Sequence, residues 1–215
     1  MADAHYRACL HAGLNITGTN AEVFPGQWEY QMGPCTGIDS GDSMILGRFL
    51  LHRVAESYGL GITLEPKPVH GDWNGSGAHC NYSTNSTRAA MGRTVMDTYI
   101  ENLSKRAELH IQCYGEGNFA RLTGEHETAS YKEFRAGVAD RGASIRIPRK
   151  CDEDGCGYLE DRRPASNCDP YVVSAMLADT TINEGKNSEN LVNQYKTWLR
   201  QESTTHSSMS RMQSL

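Results

Sequence analysis

Helical stretches and short, turn-bounded strands alternate along this chain, which predicts an α+β fold: an antiparallel sheet with flanking helices. Three observations carry the prediction. Apolar residues recur at three- and four-residue spacing from Ser40 to Tyr58. A Pro25-Gly26 pair divides two β-rich segments. The runs ASIRIP and GYLEDR bracket the polar connection KCDEDGC as two further short strands.

Taken from the N-terminus, Tyr6, Cys9 and Leu10 give helical spacing from Ala2 to His11, and Gly13 ends that helix. NAEVFPGQWEYQ reads as a hairpin with Pro25 and Gly26 central in a type II turn. The Ser40–Tyr58 helix stops at Gly59, and GITLEP reads as a strand ended by Pro66. The glycine-rich turn GDWNGSGAHCNYST leads into a strand over about Ala78–Thr84, and a helical stripe then runs from Val95 to about His110. Weak periodicity from Asn118 to Gly142 predicts loops with one short helix. NCDP supplies a cap and an N1 proline for a helix from about Tyr171 to Thr181. No repeat or linker divides the chain, so residues 1–200 are expected to form one domain and residues 201–215 an unstructured tail.

Composition narrows the function. The 215 residues carry 21 Lys+Arg against 26 Asp+Glu, a formal charge of −5. Counterion release and lipid-surface attraction both require excess Lys and Arg, so neither nucleic acid nor a membrane surface is an expected partner. The most apolar run, MILGRFLL, is cut by Arg48 and falls far short of the roughly 20 residues a bilayer span needs. The N-terminus lacks the pattern of a secretory signal. Seven irregularly spaced cysteines argue for a reducing compartment, and a cytoplasmic location is expected. Cys151 and Cys156 read as free loop thiols at the surface rather than as a metal or redox pair.

Several residues carry chemistry. Counting outward from the Pro25-Gly26 loop places Glu22 directly opposite Glu29, and opposed carboxylates repel unless a divalent cation joins them or solvent separates them. Arg141, Arg146, Arg162 and Arg163 offer forks either to phosphate or to surface acids. In NGSGAHCN, Asn74, Gly75 and Gly77 let backbone N–H groups approach a ligand, while His79 projects from the following strand as a ligand or a structural histidine. Tyr82 and Tyr158 suit either a base or the core. Glu127, in GEHET, is either a lid acid or a solvated one.

Five segments occur in one fixed order: GTNAEVFPGQWEYQMGPC, KPVHGDWNGSGAHCNYST, ARLTGEHET, VADRGASIRIPR and GYLEDRRPASNCDPY. Together, in register over about Ala2–Asp179, they resemble the C-terminal catalytic region of eukaryotic-type glutamine synthetase. The resemblance implies an ATP-dependent ligase that joins ammonia to L-glutamate through γ-glutamyl phosphate, with Mg²⁺ or Mn²⁺ as cofactor. It implies Glu22, Glu29, His79 and Glu160 as metal ligands, and Glu127, Arg141 and Arg146 as catalytic residues, with Glu127 the flap acid. Asp72, Trp73, Gly75, Arg121 and Arg162 would bind glutamate. Asn81, Tyr82, Ser83, Tyr158 and Leu159, with Arg141 and Arg146, would bind ATP.

The family pattern also implies departures. Cys80 stands where Thr is usual, Ala120 where Arg usually precedes Arg121, and Glu125 where an aromatic or basic residue is common. Family members form homo-oligomers with sites between subunits and carry an N-terminal β-rich domain, so this chain is expected to begin inside the catalytic domain and to be inactive alone. The other expectations are a non-catalytic binding or assembly module of the same family and a different metal-dependent phosphotransferase such as a guanidino kinase. The latter needs a reactive cysteine beside its guanidine pocket, which no motif here supplies.

Overall fold

The computed structural model describes residues 1–212. Its helices are α1 (Ala2–His11), α2 (Asp39–Ser57), α3 (Asn85–Arg88), α4 (Gly92–Lys105), α5 (Ala107–Ile111), α6 (Arg149–Glu153), α7 (Pro170–Ile182) and α8 (Ser188–Met212). The strands are β1 (Ile16–Ala21), β2 (Trp28–Met32), β3 (Cys80–Tyr82), β4 (Ala136–Val138), β5 (Ile145–Ile147) and β6 (Leu159–Asp161). This is the expected α+β class, with one refinement. β1 and β2 pair alone as an antiparallel hairpin, and the second sheet, in the order β3-β6-β5-β4, is antiparallel except for its parallel β4–β5 edge.

Local chemistry accounts for most boundaries. The Asp169 side chain accepts from the amides of Tyr171 (2.9 Å) and Val172 (3.3 Å), and Pro170 opens α7, as NCDP predicts. The stripe expected to run unbroken to His110 divides at Arg106, whose φ of −116° leaves the helical region, and α5 then turns His110 inward. GITLEP forms no strand. Its backbone oxygens are taken by other partners, Leu64 O by the Ser166 hydroxyl (2.6 Å) and Pro66 O by the Ser76 amide (2.8 Å). The tail expected from 201 is helical backbone as far as Met212, and residues 213–215 lie outside the described residues.

The core gathers Leu103, Tyr114, Ile145, Leu159, Val173, Met176, Leu177 and Val192 between α4, α7, α8 and the back of the four-stranded sheet. Burying such side chains yields roughly 1.5–3 kcal/mol each. Cys151, expected at the surface, is buried against Met96 and Ile147 because α6 folds across that connection.

Candidate functional site

β6 is the spine of the site, because residues on a strand alternate between its faces. Leu159 and Asp161 point into the core and Glu160 points out, and the alternation continues past the strand end to Arg162. In register, Glu160 lies beside Asn81 of β3 and Arg146 of β5. Its Oε1 accepts from Arg162 Nη1 (2.9 Å) and stands 3.4 Å from His79 Nδ1. Arg146 Nε packs against Oε2 as an ion pair without hydrogen-bond alignment, so both buried atoms lack a hydrogen-bond partner. Packing around the His79 ring, then the charges of Arg162, Arg121 and Arg146, hold its pKa well below the usual imidazole range, although a third of the side chain stays open to solvent. The ring is neutral near pH 7, with a nitrogen lone pair.

The hairpin brings its acids together in a different register from the one expected. The turn itself forms as predicted, with Gln27 N donating to Phe24 O (3.0 Å) and Gly26 at φ +84°. Beyond it Glu22 pairs with Gln27, and Glu29 faces Asn20. Val23 and Phe24 are thus left over on the first arm, where Phe24 meets Trp73 edge-to-face at 5.1 Å. Glu22 and Glu29 become diagonal rather than direct neighbours, still on one face. Burial, then a hydrogen bond and charge repulsion from Glu29, raise the Glu22 pKa above the usual carboxylate value, while Asn20 and Arg141 partly oppose the rise.

Three loops close around these two groups. Arg162 donates from Nε to Arg141 O (3.0 Å) and from Nη2 to Glu127 O (3.0 Å), fixing both loops to β6. The Glu127 carboxylate pairs with Arg141 Nη1 at 2.9 Å. Gln27 Nε2 joins the hairpin to the glycine loop through Gly75 O (3.1 Å) and Ser76 Oγ (2.9 Å). Gly75 is required by close packing, since a Cβ there would lie 2.3 Å from Arg121 Cγ and 2.8 Å from Pro66 O.

A family model of the glutamine synthetase catalytic domain matches residues 1–194. The chain belongs to the glutamine synthetase catalytic-domain family. It is 60% identical over 182 residues to the chloroplastic glutamine synthetase of Oryza sativa subsp. japonica, covering 85% of this chain and 42% of that protein. With the Schizosaccharomyces pombe glutamine synthetase it shares 56% identity over 180 residues, covering 84% and 50%, and with root isozyme 5 of Zea mays 58% over 182 residues, covering 85% and 51%. The chain thus spans about half the length of the curated relatives it matches.

Against the roles implied by glutamine synthetase, the structure separates the residues into two sets. Glu22, Glu29, His79, Glu160, Arg141, Arg146, Arg162 and Glu127 line one connected surface, joined by Gly75, Asp72, Trp73 and the exposed Asn81. Others point elsewhere. Arg121 is 4% exposed, and its Nε and Nη2 are spent on Asn118 Oδ1 and the carbonyls of Arg162, Arg163 and Pro164, so its side chain braces the loop beneath the surface. Burial lowers its pKa to about 10. The Leu159 side chain is wholly in the core. Tyr82 packs against that core with its hydroxyl 2.8 Å from Thr181 Oγ1 and Ser83 is tied to Arg88, whereas Tyr158 is open to solvent at 39% exposure. The Cys80 thiol is pushed up to about 12 by burial and then by Asp161.

The fit to a metal is partial. Among the described residues no three His, Cys, Asp or Glu side chains converge; the donors come in two pairs, Glu22/Glu29 and His79/Glu160. Hard oxygen pairs of this kind, completed by substrate phosphates, suit Mg²⁺, and a neutral imidazole suits Mn²⁺ as well. Glu160 Oε2, ion-paired with Arg146 but without a hydrogen-bond partner, is an oxygen donor of the right chemistry.

Gln27, His126 and Asp161 were not expected to contribute, and Arg163, read as a fork to phosphate or a surface acid, is instead 1% exposed and paired with Asp161. The period-two run in LEDRR was the available signal for that pairing.

Proposed function

We propose that this chain supplies a catalytic wall of an ATP-dependent ligase that makes L-glutamine from L-glutamate and ammonia. The supporting observation is Glu160, a buried carboxylate set among His79, Arg146 and Arg162 on one face of β6. Glu22/Glu29 and His79/Glu160 would hold the divalent ions, which when bound neutralise phosphate charge. Arg146 presents a fork toward the transferred phosphoryl, as preorganised cations do at phosphoryl-transfer sites. The γ-carboxylate oxygen of glutamate forms a bond to the γ-phosphorus as the bond from that phosphorus to the ADP oxygen breaks. Ammonia then bonds to the carbonyl carbon of the acyl phosphate as the bond from that carbon to the phosphate oxygen breaks, and phosphate leaves with a proton from the nitrogen. Glu127, on the flap, takes a proton from ammonium and helps exclude water from the acyl phosphate. ATP, glutamate and ammonia are the small-molecule partners, further copies of the chain the macromolecular one, and the cytoplasm the location. Among the described residues no helix is long and apolar enough to cross a membrane.

The pairwise donors and the engagement of Glu160 by two arginines favour a second statement. By itself the 215-residue polypeptide does not turn over and serves as a binding or assembly module. Incubating it with ATP, Mg²⁺, glutamate and ammonia is expected to give no glutamine, and measurable synthesis would overturn that statement. A chimera in which this segment replaces its counterpart in the Schizosaccharomyces pombe enzyme tests the ligase role. Glutamine formation that Glu160→Gln abolishes is expected; a folded but inactive chimera, or one indifferent to Glu160→Gln, contradicts it.

A further inference from the structure

The contacts around the site mouth form a ring: Phe24 on Trp73, Gln27 on Gly75, Asp72 on His126, Glu127 on Arg141, and Arg141 acting electrostatically on Glu22. Among the described residues, the glycine loop meets the flap through a side-chain contact, His126 Nε2 to Asp72 Oδ1 at 2.9 Å, which is an ion pair only when the imidazole is protonated. Asp72 is otherwise open, its side chain 94% exposed. The flap backbone at His126 and Glu127 is left-handed, at φ +52° and +57°. Non-glycine residues keep that conformation only where surrounding contacts hold it. Arg162 and Arg141 hold Glu127 from the sheet side, and Asp72 holds His126 from the opposite side.

We propose that Asp72 and His126 are positioning residues forming a latch, through which order in the glycine loop is passed to the flap that carries Glu127. The latch deepens the ligase reading and rests on it only for the ligand enclosed. An exposed pair shifts an open–closed balance by no more than about 2- to 5-fold. That is small for stability but sufficient to bias a lid.

Hydrogen exchange on the 215-residue chain reads the coupling without any turnover. The reporters are the Trp73 amide, bonded to Gly71 O (2.9 Å), and the Thr128 amide, bonded to Glu125 O (3.1 Å). Asp72→Asn and His126→Gln are each expected to speed exchange at both amides by about 2- to 5-fold, with the double variant no faster than either single one. Faster exchange only in the mutated segment, or additive effects in the double variant, would overturn the latch. Adding L-glutamate separates the latch from the ligase reading. Protection of the Trp73 amide that reaches Thr128 in the unaltered chain but not in Asp72→Asn supports both. Protection at neither amide in the unaltered chain counts against the ligase reading alone, and protection that reaches Thr128 equally in Asp72→Asn counts against the latch.

Discussion

Asp161 and Glu160 are adjacent acids on one strand, each beside an arginine two residues on, yet they lie in opposite kinds of environment. On the core face, Asp161 takes Arg163 at both oxygens (2.8 and 2.7 Å) and the Tyr114 hydroxyl (2.9 Å), and Tyr114 in turn bonds His110 (2.6 Å), which reaches Thr180 (2.8 Å). The Arg163 guanidinium lies 5.3 Å from both the Tyr114 and Phe134 rings. Burial alone would raise the Asp161 pKa, but the charge and hydrogen bonds of Arg163 outweigh it and the net shift is downward. On the outer face, Glu160 meets three basic side chains, and its Oε2 faces Arg146 as an ion pair without an aligned hydrogen bond. On the core face both Asp161 oxygens are satisfied and only Arg163 Nη1 is left without a hydrogen bond, whereas on the outer face it is the carboxylate, at Oε2, that lacks one.

The largest expected effect comes from breaking the closed side. Arg163→Met leaves the Asp161 carboxylate buried without its counter-charge and should cost about 3–5 kcal/mol in urea unfolding. Arg146→Met, on the open face, should cost no more than about 1 kcal/mol, because its side chain is partly solvated. Equal losses would erase the contrast.

Next in size is the response to acid. Burial, followed by the Arg163 charge, lowers the His110 pKa to about 3, so the native state resists protonation that the unfolded chain accepts near pH 6.5. Stability is expected to fall as pH drops from about 6.5 toward 3. His110→Gln should flatten that slope in urea midpoints, leaving the parts due to His5 and His79, whose pKa values are also lowered. An unchanged slope would mean that His110 is not enclosed.

The smallest effect is on the hairpin. Glu22 has a raised native pKa, so its contribution favours folding at low pH and is lost as pH climbs through the native value. Glu22→Gln should therefore stabilise the metal-free chain at pH 7 by a few tenths of a kcal/mol, with the gain vanishing below about pH 4. Destabilisation at pH 7 would show that the two acids do not repel.

How much of this was legible follows from the range of each interaction. The Ser40–Tyr58 helix, the Asp169-Pro170 cap and the Pro25-Gly26 turn rest on neighbours in sequence, and all appear in the structure. The hairpin register was missed because Phe24 is drawn to Trp73, 49 positions away, which no local rule records. The convergence of His79, Arg146 and Glu160 was named only through family resemblance, since their strands lie far apart in sequence. The burial of Arg121 against the carbonyls of Arg162, Arg163 and Pro164 was not legible, because its motif is local and those partners are 41–43 positions away. Gln27 and His126 were overlooked as single polar residues in loops, whose partners only tertiary structure supplies.

Mn²⁺ binding in the presence of ATP tests the open face most directly, measured on the 215-residue chain and on Glu22→Gln and Glu160→Gln. The account predicts saturable binding in the unaltered chain, weakened at least about tenfold by either substitution, the scale expected when a metal-site partner is lost. No saturable binding, or binding that survives both substitutions undiminished, would contradict it.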